Sequence, residues 1–420
     1  MKGVLRGIAV CLLPVLVGLY VAATTFGGGR FVPWQPMMVD LDVYRQAGRV
    51  LLQGGDFYTL PGALQFLYPP FAAVLAAPLA VLPAAVVQVG WTVAGVLALL
   101  AVLHRFGLRG WVQSLVATAT TWFVEPVTET LAFGQVGIFL VALVVLDLVP
   151  GPRVWRRRLL PEGALTALAA AVKLTPAIFV VYLLAVRRTR AFVAAVVTGL
   201  AVTLATAVVA PRASLGFWGR LARGDTGLGR SIIYYTNQSV MADVVRILGL
   251  GSRAAALGLL LSAVVAALGV WAASRWHRRG DVAMAVNLCG IASLLASPVS
   301  WLHHFVWVVP LALSLVQHSR GRAPDGRPLG RLPGWFSALG WLFVGWVVAS
   351  PFRRLPNGAD VELTWTWGQN LVASVTVLLG LALLLAACRV LPAVSADEPD
   401  GAASAQGAGY RAPRKLTRSV

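Results

Sequence analysis

Acidic residues are scarce in this chain. Sixteen of 420 residues are Asp or Glu, against 35 Lys and Arg, and charged residues of every kind make up 12%. A soluble domain carries about a quarter charged residues, so a water-exposed fold is excluded for most of the chain. Cysteine is nearly absent. Cys11, Cys289 and Cys388 stand far apart, each inside an apolar run, which leaves no disulfide or metal framework. Lysine is rarer than arginine, and Lys173 is the one lysine away from the termini. Phosphate-loop, G-x-G-x-x-G and H-E-x-x-H patterns are missing, so nucleotide-binding folds and zinc-hydrolase chemistry have no motif to rest on.

What is present is apolar. The composition is 58% hydrophobic with a mean hydropathy of +0.77. Runs of about 20 apolar residues recur from end to end, each long enough for a hydrocarbon core of about 30 Å. The fold class is therefore an all-α polytopic membrane protein. The net charge of +19 does not point to nucleic acid, because the arginines cluster in short loops between apolar runs, as topology-setting charges do. The first run lacks a cleavage site before a polar domain and reads as a retained span.

Spans are expected at 7–26, 84–103, 110–124, 131–149, 191–210, 252–274, 282–297, 305–317, 333–349 and 369–388. Pro83 separates a short interfacial piece, 71–82, from the second span. The segment 162–186 is interrupted by Lys173-Leu174-Thr175-Pro176. Proline disfavours helix at the residue before it, and a mid-membrane lysine is costly, so two shorter helices are expected to meet there at the surface. That gives about twelve transmembrane helices in one catalytic domain, 1–390, with outer loops at 28–70 and 211–250. Residues 391–420, rich in Ala, Gly, Ser and charge, read as a disordered cytoplasmic tail. With the N-terminus inside, the basic runs at 104–109, 153–158, 187–190, 275–279 and 320–331 share the cytoplasmic side. DLDVY, EPVTET, KLTP, YYTNQS and SPVSWLHH then share the other side. Arg353 and Arg354 fall there too, against the rule.

That outer face carries the candidate chemistry. Asp40 and Asp42 lie too close in sequence to share one helix face; each is either a solvated loop acid or a general base. His303 and His304 beside Trp301 make a poor chelate, since helical metal ligands sit at i,i+4. They serve either as packing residues or as donors to an anion such as phosphate. Lys173 either snorkels or belongs to a site. Asn237 and Gln238, after Tyr234 and Tyr235, offer amides beside aromatic faces, a combination suited to sugars. Trp122, Trp218, Trp365 and Trp367 fit an interfacial belt.

DLDVYRQAGRVLLQGGDFY, FLYPPFAAVLAAPLAVLP, GQVGIFLVALVVL, AVKLTPAIF, TNQSV and SPVSWLHH together resemble the GT-C-type glycosyltransferases of family 87, which depend on polyprenyl phosphate mannose. The resemblance covers most of residues 40–305 and leans toward the α-(1→2)-mannosyltransferases of mycobacterial phosphatidylinositol mannoside synthesis. It implies a plasma-membrane enzyme with its active site on the periplasmic side, a polyprenyl phosphate mannose donor and a phosphatidylinositol mannoside acceptor. It implies no nucleic acid partner, no cofactor and no required metal, with Asp56 or Glu125 available were one recruited. In this scheme Asp40 is the base of a single inverting displacement. His304, with Lys173 and His303, holds the lipid phosphate; Asn237, Gln238, Tyr68 and Trp301 position sugar. A transferase of the same fold with another sugar or acceptor (lipomannan, arabinan) fits the same motifs. A lipid or sugar transporter fits less well, since its polar groups belong near the midplane in two related halves.

Overall fold

A computed structural model describes residues 2–25, 36–61, 64–155, 157–224 and 229–390. The expected tail, 391–420, and residues 28–35 of the first outer loop lie outside them. All regular structure among the described residues is helical, apart from one isolated bridge between Arg322 and Pro328.

The chain opens with α1 (Lys2–Thr24), then α2 (Val39–Leu52) in the outer loop. Prolines set the next two starts: α3 (Pro70–Ala80) follows Pro69, and α4 (Ala84–Arg105) follows Pro83. Proline fixes φ at a helical value and its missing N–H is not needed in the first turn. The buried Arg45 of α2 closes the far end of α3, donating to the carbonyls of Leu79 (3.1 Å) and Leu82 (2.8 Å). Gly48 lets α2 pack directly on α3, since a Cβ there would meet the Ala76 backbone at 2.7 Å.

Helix α5 (Gly110–Phe123) leads into α6 (Glu125–Phe133) and α7 (Gly137–Leu148). The expected single span at 131–149 is instead a pair bent by 116°. Gly134, in the left-handed region at φ +68°, makes the corner. Asp147, buried at the end of α7, accepts from Gly163 N, Thr166 N and Thr166 Oγ1 and pairs with Arg158. It thereby caps α8 (Ala164–Val172) from a neighbouring helix. As expected, α8 stops at Lys173, and a 3-10 turn at Thr175–Ala177 restarts the chain as α9 (Ile178–Ala185).

Helix α10 (Thr189–Val209) is followed by α11 (Pro211–Ala222) and α12 (Val240–Leu248). The stretch expected as an outer loop, 211–250, is thus largely helical. Helices α13 (Ser252–Arg278), α14 (Val282–Ala296), α15 (Val308–Arg320), α16 (Gly334–Ala349) and α17 (Trp367–Arg389) complete the chain. Buried on nearly every face, α14 forms the centre of the bundle; its first turn is capped by Asp281, which accepts from Met284 N. A helix apolar all round belongs in such a place.

Six helices are long and apolar enough to cross a membrane, α1, α4, α10, α13, α16 extended to Arg354, and α17, or seven with the α6–α7 pair. The other expected spans are shorter helices. The basic loops do gather at one end: Arg105 donates to Val149 O, Gln317 to Phe106 O, and Arg188 to Glu162, which also lies near Arg158. Arg353, one of the two exceptions to the charge rule, is neutralised by ion pairs with Glu125 and Glu129. Trp365 departs from the belt; it is buried and donates to Pro356 O, while Trp367 is 80% exposed.

Candidate active site

Opposite the basic end, the outer segments enclose a cavity of about 880 Å³. Its wall begins with α2. Met38, itself left-handed at φ 31°, donates its N–H to Ala132 O and so pins the start of α2 to the end of α6. Gly134 permits this contact, because a Cβ there would strike the Leu41 Cβ at 2.5 Å. Asp40 then faces the cavity. Asp42, about 200° further around the helix, is exposed on the other side and accepts from its own helix neighbour Gln46. One turn along from Asp40, the Tyr44 hydroxyl meets the Tyr68 hydroxyl at 2.8 Å and Gln135 Oε1 at 3.0 Å.

Burial raises the Asp40 carboxyl to about 6, while the Gln135 amide and the Lys173 ammonium hold it down from going further. Gln135 Oε1 is occupied by Tyr44 and Tyr68, at 3.0 and 3.2 Å. Its Nε2 forms no well-aligned hydrogen bond but acts on the Asp40 carboxyl, which it favours in the charged form. The residue thus sits behind Asp40 as a fixed dipole.

The facing wall holds Lys173 and the two histidines. Lys173 Nζ donates to His304 Nε2 at 2.6 Å and lies 5.2 Å from the centre of the Tyr68 ring. Accepting from lysine requires a neutral imidazole with its proton on Nδ1, and that Nδ1 is buried without a partner. Trp301 Nε1 and His303 Nε2 are buried and unpartnered in the same wall. Three orphaned polar atoms in one wall are costly in a finished core. His303 Nδ1 lies 3.9 Å from Glu129, which is 3.3 Å from Arg353.

Asp40, Tyr68, Lys173, Trp301, His303 and His304, six residues expected from the sequence, therefore line one cavity. Asn237 and Gln238 do not. Both are fully buried. Asn237 Nδ2 donates to Ile232 O and Pro298 O, its Oδ1 accepts from Ser300 N, and Gln238 N donates to Ser300 O. Ser239 adds a bond to Pro298 O. The TNQS segment is a clasp on SPVS that holds the Trp301–His304 wall. Thr130 grips the same wall through His303 O at 2.8 Å.

The structure adds Gln135, Glu129 and Arg220 to the site. Gln135 stands inside the GQVG run and Glu129 inside EPVTET, but one polar residue in an apolar sequence gives no sign of what it will face. Asp56 is exposed and bonds locally to Tyr58 N, and Glu125 is taken up by Arg353. No three His, Cys, Asp or Glu side chains among the described residues group as metal ligands.

A second, almost wholly apolar groove of about 280 Å³ runs between α3, α8, α10 and α11. Pro69 and Leu174 line both spaces.

Residues 66–298 match glycosyltransferase family 87. The chain belongs to that family. It is a multi-pass membrane glycosyltransferase. It is 31% identical over 400 residues, 87% of each chain, to a protein of Mycobacterium tuberculosis named polyprenol-phosphate-mannose-dependent alpha-(1-2)-phosphatidylinositol mannoside mannosyltransferase. The protein of that name from Mycolicibacterium smegmatis is also 31% identical, over 85% of this chain and 86% of its own. A further M. tuberculosis relative, 35% identical over 80% of this chain and 76% of its own, is named the phosphatidylinositol pentamannoside mannosyltransferase of the same linkage. No solved structure matches the chain.

Proposed function

We propose that this family 87 enzyme moves mannose from polyprenyl phosphate mannose to a phosphatidylinositol mannoside, with inversion, forming an α-(1→2) linkage. One observation carries the reading: a carboxylate poised near 6 and a lysine–histidine pair line one cavity. The donor's leaving group is already an anionic phosphate and needs little protonation. The acceptor hydroxyl does need a base, and Asp40 takes its proton as the hydroxyl oxygen attacks the anomeric carbon and the carbon–phosphate oxygen bond breaks. The Lys173 ammonium and the free Nδ1–H of His304 stabilise the charge gathering on the departing phosphate. Trp301 and Tyr68 offer the sugar an indole N–H and an aromatic face. The apolar groove beside the cavity suits the hydrocarbon of a lipid substrate.

In this reading α5, α8, α9, α14 and α15 are short crossings that bring the number of transmembrane helices to about twelve. The cavity opens on the periplasmic side of the plasma membrane, because arginine-rich loops remain cytoplasmic. Two of the relatives' names differ in acceptor, phosphatidylinositol mannoside or its pentamannoside. The test is to incubate purified enzyme with polyprenyl phosphate mannose and a series of mannosylated phosphatidylinositols, followed by linkage analysis of the product. An α-(1→2)-linked product lost in Asp40→Asn is expected; transfer that persists in that variant rejects the base.

A further inference from the structure

We propose that Arg220 is a second phosphodiester-binding residue of this enzyme, separate from the Lys173–His304 pair. Three fully basic side chains line the cavity: Lys173, Arg220 and Arg353. Lys173 faces the Asp40 carboxylate, and Arg353 is paired with Glu125 and Glu129. Arg220 pairs with no carboxylate among the described residues. Its guanidinium instead lies 4.5 Å over the centre of the Tyr58 ring, a cation–π contact with the ring face that by itself uses none of its N–H donors. Tyr58 is itself fixed by its hydroxyl on Tyr68 O at 2.9 Å and by stacking on Phe217, so the guanidinium has a rigid platform.

The position of α11 gives the anion its class. That helix lines the cavity through Phe217 and Arg220 and the apolar groove through Ser214 and Trp218. An anion held at Arg220 thus borders the cavity that holds Asp40 and Lys173 on one side and an apolar groove on the other. A lipid phosphodiester has that construction. This inference rests on the reading of the enzyme as a lipid-phosphate sugar transferase, in which both substrates carry such a group, the donor on its polyprenyl carrier and the acceptor in its phosphatidylinositol.

The experiment uses purified full-length enzyme, with polyprenyl phosphate mannose and the phosphatidylinositol mannoside each varied while the other is saturating. Arg220→Gln should raise KM for one lipid by about tenfold or more, as loss of a charge-assisted bond does, with kcat nearly unchanged. Arg220→Lys should regain much of the loss. A donor-only rise assigns the donor phosphate; an acceptor-only rise assigns the phosphatidylinositol phosphate. Arg220→Met keeps the stem on Tyr58 and reads the same comparison should the Gln variant fold poorly. Unchanged KM values, an equal rise in both, or a fall in kcat alone overturns the proposal. If the wild type transfers no mannose from this donor, the functional reading fails and this one with it. If the wild type transfers and Arg220→Gln matches it, only the role of Arg220 falls.

Discussion

Asp40 and Asp42 sit in one helical turn, and residue type alone gives them the same prospects. Helical geometry separates them: one meets the cavity and the other faces outward to Gln46. A base must be ionised to act, so a carboxyl raised to about 6 makes the rate pH-dependent on its acid side. kcat/KM should fall as pH drops through about 6, approaching tenfold per unit. It should fall again above neutrality as the Lys173 ammonium, lowered to about 7 by burial, loses its proton. Asp40→Asn should lower kcat by about 10²–10⁴-fold and abolish the acid limb. Gln135→Leu tests the dipole behind the base. An amide that favours the charged carboxylate lowers its pKa, so its removal should move the acid limb to higher pH, which a pH–rate profile reads directly. Lys173 and the histidines were legible in the sequence because charged and titratable groups are rare in such a chain. Asn237 and Gln238 were equally conspicuous, yet amides serve backbone carbonyls as readily as sugars, and only their bonds to Ile232, Pro298 and Ser300 distinguish the two uses.

Among the elements, the corner between α6 and α7 has the largest effect on the site. It stacks Met38 and Leu41 on Gly134 and brings Gln135 under Asp40. Gly134→Ala would place a side chain at φ +68° and 2.5 Å from Leu41 Cβ. We expect a loss of about 2–4 kcal/mol from the left-handed backbone and overpacking together, measured as a lower melting temperature with reduced transfer. The break at Lys173 was readable, because proline and a lone lysine mark it in the letters. The 116° bend at Gly134 was not, since the apolar run 131–149 has the length and hydropathy of an ordinary span. Helix α11 was missed for a related reason. It lies at the border of polar and apolar surroundings with Leu215 exposed and Phe217 buried, so its letters resemble those of an outer loop.

At the scale of the whole molecule, arginine-rich loops cluster at one end and the cavity at the other. The charge pattern anticipated this sorting, and of its two misfits, Arg353 is answered by two glutamates while Arg354 is exposed. Topology can be checked by thiol labelling, because Cys289 and Cys388 are buried and Cys11 is partly so. In intact cells an impermeant maleimide should modify Asp42→Cys, whereas Arg190→Cys should react only after the membrane is opened. The reverse pattern would invert the orientation. The shared border of cavity and groove at Pro69 and Leu174 bears on how the enzyme meets its substrates. A lipid that keeps its tail in the groove while its headgroup reacts never has to leave the bilayer. Supply is then a two-dimensional search, and turnover in vesicles should follow the donor's mole fraction in the leaflet rather than its concentration in the tube.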